Sequence, residues 1–354
     1  MDFALSQDQR DVQSAAATWC RDIADPGALR AALDGAPLPD LRPQAGDVGF
    51  LGILADGGSV LDLALVAEQA GRVLLPVPFV GTAARAVLLL AGAEASGKDL
   101  PLLHEAARGS IAVSVLDGDF AFDEGSGTVT GRSQPALDGG TAGTLLLLAP
   151  TPEGPVLLQV TKDEGVDVLQ RSPLDAGRDL AVLELRAAPA KLLLRGEAVA
   201  PLWARARHVA GVVLAAECLG AVTRATEMAV EYAQQREAFG RRIGSFQAVK
   251  HACVDAYVGQ ELLRSLVWLA AWTADSDPDA LPMHAAAAQV LASTTIESVT
   301  ETLIQVHGGI GFTWEHDAHL FWRRAKVDRL LLGDVVEHRE AVASLALAGV
   351  GSPA

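Results

Sequence analysis

Along residues 1–108 apolar positions recur three and four apart, as in the run from Leu61 to Leu75, and Gly57-Gly58, Pro76 and Pro78 punctuate the pattern. That spacing predicts amphipathic helices. From 109 to 196 the period shortens. Ser110–Leu116, Gly127–Gly131, Gly143–Pro150, Pro155–Thr161 and Leu180–Leu185 are short β-like stretches separated by Gly, Pro and Asp, which predicts a small β domain. From 197 to 354 helical spacing returns in long stretches broken at Gly240–Gly244, Asp275–Pro282 and Gly308–Gly311. Short joints between long helices predict an antiparallel bundle. Ser245 is placed to cap its second helix and Gly308 to end a later one. The fold class is α+β, mainly α, with an N-terminal helical domain (1–108), a middle β domain (109–196) and a C-terminal four-helix bundle (197–354).

Composition bounds the partners. Half of the 354 residues are apolar, ample for a buried core, and the length suits two or three domains at about 150 residues each. The net charge of −16, from 44 acidic and 28 basic residues, excludes the basic face that nucleic acid needs, while a local Arg or backbone N–H group still suits a phosphorylated ligand. Cys20, Cys218 and Cys253 form no close pair and the opening residues are polar. The expectation is a reduced, cytoplasmic protein without a signal peptide. Charged residues and glycines interrupt the apolar runs before about 20 residues, so no membrane partner is expected. The glycines of Gly125-Ser-Gly127-Thr-Val-Thr-Gly131 read as a hairpin turn, because the spacing is not that of a phosphate loop and no helix follows.

Two bundle segments carry candidate chemistry. One runs from Tyr232 through Arg236, Phe239 and Gly240 to Gln247; the other from Gln305 through Gly308, Gly309 and Gly311 to Glu315, followed by Arg323-Arg324-Ala-Lys326. They resemble the acyl-CoA dehydrogenase patterns Y-x-x-x-R-x-x-F-G-x-x-I-x-x-F-Q, Q-x-x-G-G-x-G-x-x-x-E and R-D-A-K. Asp2-Phe3, Gln9, Gly57-Gly58 and Glu68–Arg72 extend the likeness to the first domain. The resemblance implies the three-part fold, and implies that Arg236, Phe239, Gln247, Gln305 and Gly309 reach across a subunit interface to the ADP half of a neighbour's FAD. Those residue types suit such a contact, with an Arg fork for pyrophosphate, an apolar ring, and amides that both donate and accept. Taken singly, Arg236 also reads as a solvated Arg, Phe239 as core, Gln247 as a polar helix start and Gly308-Gly309 as a helix cap. Glu315 and Arg324 read as a structural charge network. His307, His316 and His319 lie close in sequence without the spacing of a metal site.

The same resemblance shows what is missing. The family removes a proton next to the thioester carbonyl and passes a hydride to flavin, which needs a carboxylate base. Its two known placements fall on Leu332, beside a retained Gly333, and on Ala210. Asp334 and Glu217 are nearby acids, but Asp334 sits two positions on from Leu332 and points elsewhere, and Glu217, seven residues from Ala210, lies two turns further along the helix. No counterpart of the flavin-holding T-E-P-x-x-G-S-D lies between Val113 and Gly127, the Trp-bearing strand pattern that follows is reduced to Thr130-Gly131-Arg132-Ser133, and an Arg that approaches CoA is replaced by Gly211. Groups acting across the interface remain and those acting within the subunit are absent. The chain therefore resembles the shorter, non-catalytic subunit of actinobacterial α2β2 acyl-CoA dehydrogenases of steroid side-chain catabolism. A longer catalytic subunit, a shared FAD and a bulky acyl-CoA are expected. Two alternatives stay open: a self-sufficient homo-oligomer using a base such as Asp334, and a scaffold binding neither FAD nor CoA.

Overall fold

The computed structural model describes residues 4–97, 100–170 and 174–350; Asp2-Phe3 lie outside them. The helices are α1 (Gln7–Ile23), α2 (Pro26–Leu33), α3 (Arg42–Asp47), α4 (Val60–Arg72), α5 (Val87–Glu94), α6 (Pro101–Ala107), α7 (Val199–Gln235), α8 (Gln247–Ser276), α9 (Leu281–His307), α10 (Ala318–Asp328) and α11 (Val335–Val350). The strands are β1 (Val113–Leu116), β2 (Gly118–Asp123), β3 (Thr128–Ser133), β4 (Ala136–Leu137), β5 (Thr144–Ala149), β6 (Val156–Thr161), β7 (Val166–Gln170) and β8 (Leu180–Arg195), with a small hairpin of β9 (Glu237–Ala238) and β10 (Arg241–Arg242). Helices, then strands, then helices follow the expected α+β order. By compactness the chain forms two units, one of residues 1–38, 60–75 and 211–354, the other of 39–59 and 76–210.

In the first unit, Ser6 and Gln9 close a reciprocal capping box at the start of α1, satisfying two otherwise orphaned N–H groups. α4 was expected to be amphipathic, yet every residue from Leu63 to Gly71 is buried, as in a helix enclosed on all sides. Its one enclosed carboxylate, Glu68, accepts from the Arg264 guanidinium of α8 at 2.6 Å. α4 crosses α7 at reciprocal glycines: a Cβ on Gly71 would lie 2.0 Å from the Glu217 carbonyl oxygen, and one on Gly220 would lie 1.9 Å from that of Glu68. Arg72 then donates to both oxygens of Glu227 on α7, each at 2.9 Å.

The predicted breaks in the bundle fall between α7 and α8, α8 and α9, and α9 and α10. Gly308 ends α9 at φ 64°, as a terminal glycine should. Ser245 is not the cap of α8. The helix starts at Gln247 with Phe246 at the cap position, and the Ser245 hydroxyl instead donates back to the Arg242 carbonyl across a short 3₁₀ turn. α7 contains a stretch long and apolar enough to cross a membrane by composition, a longer apolar run than the sequence reading allowed, but 94% of that window is buried within the protein.

The second unit is built on β8. Leu180–Pro189 pairs with β4, β7 and β3, and Ala190–Arg195 pairs with β6, so one strand serves both halves of a sheet ordered β1-β5-β6-β8-β3-β2. The continuous apolar run of β5 reflects burial on both faces. Leu146 packs with Leu89, Leu90 and Leu103 of α5 and α6, whereas Leu145 and Leu147 pack with Phe120, Val129 and Leu183. Sequence reading missed β2, β4 and β7, whose charged or very short segments lack a clean period-two signal. Gly125 and Gly127 lie in the β2–β3 hairpin turn as expected, while Gly131 lies within β3, where a Cβ would meet the Asp119 carbonyl oxygen at 2.2 Å.

Replacing Gly220 by Ala forces a methyl into the Glu68 carbonyl, so chemical denaturation of the purified chain should show a loss of about 1–3 kcal/mol or more; an unchanged denaturation midpoint would mean that the α4–α7 approach carries no such constraint.

Candidate functional site

α7 ends where Tyr232 gives its carbonyl to the Arg236 N–H at 2.8 Å, and the chain turns back through β9 and β10. The two residues at the tip, Phe239 and Gly240, have φ values of 53° and 76°, the sign pattern of a type I′ turn. Glycine adopts this freely, but for Phe239 the left-handed conformation costs about 1–2 kcal/mol. The residue is nevertheless 94% exposed, its ring meeting that of Phe246 edge-on at 6.2 Å between centroids. Strain combined with an exposed aromatic ring is a pattern of functional segments.

Charge on this arm is distinctive. Elsewhere in this unit the guanidinium groups of Arg72, Arg224 and Arg264 are paired with carboxylates. Arg236, Arg241 and Arg242 are exposed, and among the described residues none of them makes an ion pair. Arg241 rests 4.0 Å above the Phe246 ring, a cation–π contact that leaves its N–H groups pointing elsewhere. Gln247 follows, exposed, as the first residue of α8. The unpaired Arg241 was missed in the sequence; its signal was the Arg241-Arg242 pair directly after the Phe-Gly turn.

The second segment starts from the end of α9. Gln305 is exposed, and its carbonyl accepts from the Gly308 N–H. Gly309 has ordinary φ, and nothing lies within 4 Å of where its Cβ would be. The fold itself does not require glycine at that position, so the open space suits a close backbone approach to a ligand. The two segments are brought together by rings: His307 stacks on Tyr232 at 4.2 Å between centroids, and His316 lies 4.3 Å beyond. His307 Nδ1–H donates to the Leu303 carbonyl at 2.8 Å, while His316 Nδ1 accepts from the Ala318 N–H at 3.1 Å. Burial holds both imidazoles below their usual pKa. His319 is also buried, edge-on to Trp314, and among the described residues neither ring nitrogen has a hydrogen-bond partner. Burial first, then Arg323, Arg30 and His316, push its pKa down. Glu315, expected in a charge network, is exposed and makes no ion pair among the described residues, because the turn into α10 carries it outward; Arg324 is buried.

These groups fit the ADP half of FAD. Among the described residues Arg236 makes no ion pair, so its donor fork could meet a pyrophosphate; Phe239 offers a ring, Gln247 and Gln305 exposed amides, and Gly309 an open backbone. FAD, if bound, would supply a hydride acceptor at its flavin ring, the other end of the cofactor.

At the expected base positions, Ala210 is fully buried in α7, and Leu332 holds a left-handed conformation, φ 61°, between α10 and α11. Gly211, in place of a CoA-directed Arg, gives its carbonyl to the buried Gln289 amide. Asp334 caps α11: its Oδ1 accepts from Val336 and Glu337 N–H groups at 2.8 and 3.0 Å, bonds that hold its carboxyl below the usual range. Glu217 is buried where α7 crosses α4. In the β unit, Asp117 alone joins β1 to β2. Its carboxylate receives two N–H groups of buried Arg85, at 2.7 and 2.5 Å, and Arg85 lies 4.9 Å over the Trp203 ring. Burial pushes the Asp117 carboxyl up, but Arg85, with Arg207 and Trp203, outweighs it and the net shift is downward.

Replacing Asp117 by Asn removes the charge that compensates Arg85, so thermal or denaturant unfolding should register a loss of about 3–5 kcal/mol. The histidines predict a pH effect. A group whose folded pKa is depressed binds protons more readily when unfolded, so its stabilisation is present above the ordinary value of 6.5 and is lost as pH falls. Glu68, whose carboxyl burial pushes up, acts in the opposite sense at lower pH. The fall in Tm on acidification from neutrality should therefore be shallower in His319→Phe than in the parent, and equal slopes would exclude His319 as a contributor.

A model of the acyl-CoA dehydrogenase C-terminal domain matches residues 206–346. The acyl-CoA dehydrogenase IpdE2 of Mycobacterium tuberculosis is 34% identical over 277 residues, spanning 78% of this chain and 74% of the relative. Among solved structures, a chain of the ChsE4-ChsE5 complex from Mycobacterium tuberculosis superposes with a TM-score of 0.86 at 26% identity, covering 100% of both chains. A variant of the Tcur3481-Tcur3483 steroid ACAD gives 0.85 at 27% identity, over 98% of this chain and 99% of the other. With the sequence patterns above, these likenesses place the chain in the acyl-CoA dehydrogenase family, a family of FAD-dependent oxidoreductases.

Proposed function

We propose that this chain is the non-catalytic partner in a two-subunit FAD-dependent acyl-CoA dehydrogenase. Arg236, Phe239, Gln247, Gln305 and Gly309 hold the ADP half of an FAD whose flavin ring sits in a longer subunit, and that subunit supplies the base for α,β-dehydrogenation. The observation that carries this reading is the arm itself: in a chain of net charge −16, Arg236 has no carboxylate partner among the described residues and Phe239 is 94% exposed on a strained turn. Both features are unfavourable in an isolated subunit and useful against an anionic cofactor and a neighbouring surface.

Three features support catalytic dependence. Leu332 and Ala210 have no proton-accepting group, the carboxylate of Asp334 is engaged in capping α11, and Asp117 leaves no loop between β1 and β2 to cradle a flavin ring. The likeness to a steroid ACAD and to a ChsE4-ChsE5 complex supports a bulky acyl group, such as a steroid side chain carried as its CoA thioester.

The test is purification of the chain alone and co-expressed with a longer acyl-CoA dehydrogenase subunit. The lone chain should be colourless, the complex should carry about one FAD per two chains, and Arg236→Ala should weaken FAD retention about tenfold or more through loss of a charge-assisted contact. Stoichiometric flavin and full turnover in the lone chain would defeat the proposal, as would unchanged FAD retention in the Arg236 variant.

A further inference from the structure

Three helix ends converge on three aromatic rings. Tyr232 lies in the last turn of α7 and its carbonyl holds the Arg236 N–H at 2.8 Å. His307 is the last residue of α9 and immediately precedes Gly308-Gly309. His316 accepts from the N–H of Ala318, the first residue of α10. Tyr232 and His307 are near-parallel, with 24° between their planes, and His316 meets His307 tilted by 46°. The stack therefore lies at the root of both segments assigned above to FAD, while His307 itself is only 5% exposed.

We propose that the Tyr232–His307–His316 stack sets the spacing between the Arg236 arm and the Gly308-Gly309 turn, making His307 a positioning residue for the cofactor clamp rather than a ligand of FAD. This rests on the clamp reading given under Proposed function. His307 is well constrained for the role. Its Nδ1–H is spent on the Leu303 carbonyl of its own helix, which fixes the ring plane. The carbonyl can only accept, so the neutral ring carries its proton on Nδ1. His316, accepting at Nδ1, carries its own on Nε2. Burial disfavours the charged form of both rings, which lessens like-charge repulsion across the stack. Gly311 lets the 3₁₀ turn pass close to the end of α9: a Cβ there would lie 3.0 Å from His307 Cβ. Holding contact residues from behind through packed rings is how a binding constellation keeps its geometry before the ligand arrives.

The experiment uses the two-subunit complex stripped of flavin and titrated with FAD, with the melting temperature of the flavin-free complex recorded alongside. His307→Ala should weaken FAD binding about tenfold, equivalent to the loss of one aromatic stack, while His307→Phe, which keeps a ring of similar size, should recover most of that loss. Because Tyr232 and His307 act through one contact, Tyr232→Leu combined with His307→Ala should bind FAD no more weakly than the weaker single variant. Tyr232→Leu retains apolar bulk and carries the test alone should His307→Ala not fold. Unchanged FAD affinity in both single variants, losses that multiply in the double variant, or His307→Phe as weak as His307→Ala would each overturn the positioning role. Arg236→Ala separates the two readings. If it weakens FAD while the ring variants do not, only the positioning inference fails; if all of them are silent, the clamp itself fails.

Discussion

The approach of α4 to α7 is the constraint on which the helical unit depends. Two glycines, Gly71 and Gly220, let each backbone sit against the other's carbonyl oxygen, so the helices have one axial register available to them. Packing at that distance is intolerant of an added methyl; the Arg72–Glu227 pair reinforces it, while Glu68 with Arg264 ties α4 to α8. Because α7 runs on without interruption to Gln235, fixing its register at Gly220 also fixes where Tyr232 and Arg236 emerge. The position of an exposed arm is thus decided by a buried crossing several turns away.

Electrostatics then divides the arginines into two populations. Arg85 is buried against Asp117, and Arg72 and Arg264 are partly buried against carboxylates, where a lost partner would leave a cation poorly solvated. Arg236, Arg241 and Arg242 are at the surface without ion pairs among the described residues, and solvent screens them there. The first population stabilises the fold, its charge neutralised by carboxylates. The second contributes little to folding and keeps its donors. A strongly acidic chain that nevertheless maintains a cationic arm has a local field opposite in sign to its net charge, the condition for holding an anion at one place only.

Much of the fold could be read from the sequence because its signals are local. The breaks around Gly240, Asp275 and Gly308 depend on turn chemistry within a few residues, and the Leu-rich β5 announces a strand enclosed on both faces. Ser245 misled because a serine before a helical run resembles a cap whether or not its hydroxyl turns backwards to Arg242, and that choice depends on a 3₁₀ turn that no periodicity reveals. β2 went unread because Asp119 and Asp123 blur its alternation. At the candidate site, the spacing of Arg236, Phe239, Gln247, Gln305 and Gly309 was legible as a pattern. The Tyr232–His307 stack was not, since it joins residues far apart in the chain, and the pairing of Arg85 with Asp117 was hidden for the same reason.

The single residue between β1 and β2 has a consequence for descent as well as for chemistry. Given the proposed partner role, a carboxylate could return to position 332 or 210 by substitution alone, leaving a route back to independence. A connection of one residue has no such route. Lengthening it requires inserted chain, and any insertion at Asp117 also unseats the carboxylate that keeps Arg85 paired in the interior. Each first step toward a roomier connection would destabilise the subunit before it gained anything, so under the partner role proposed above the short connection would act as a ratchet.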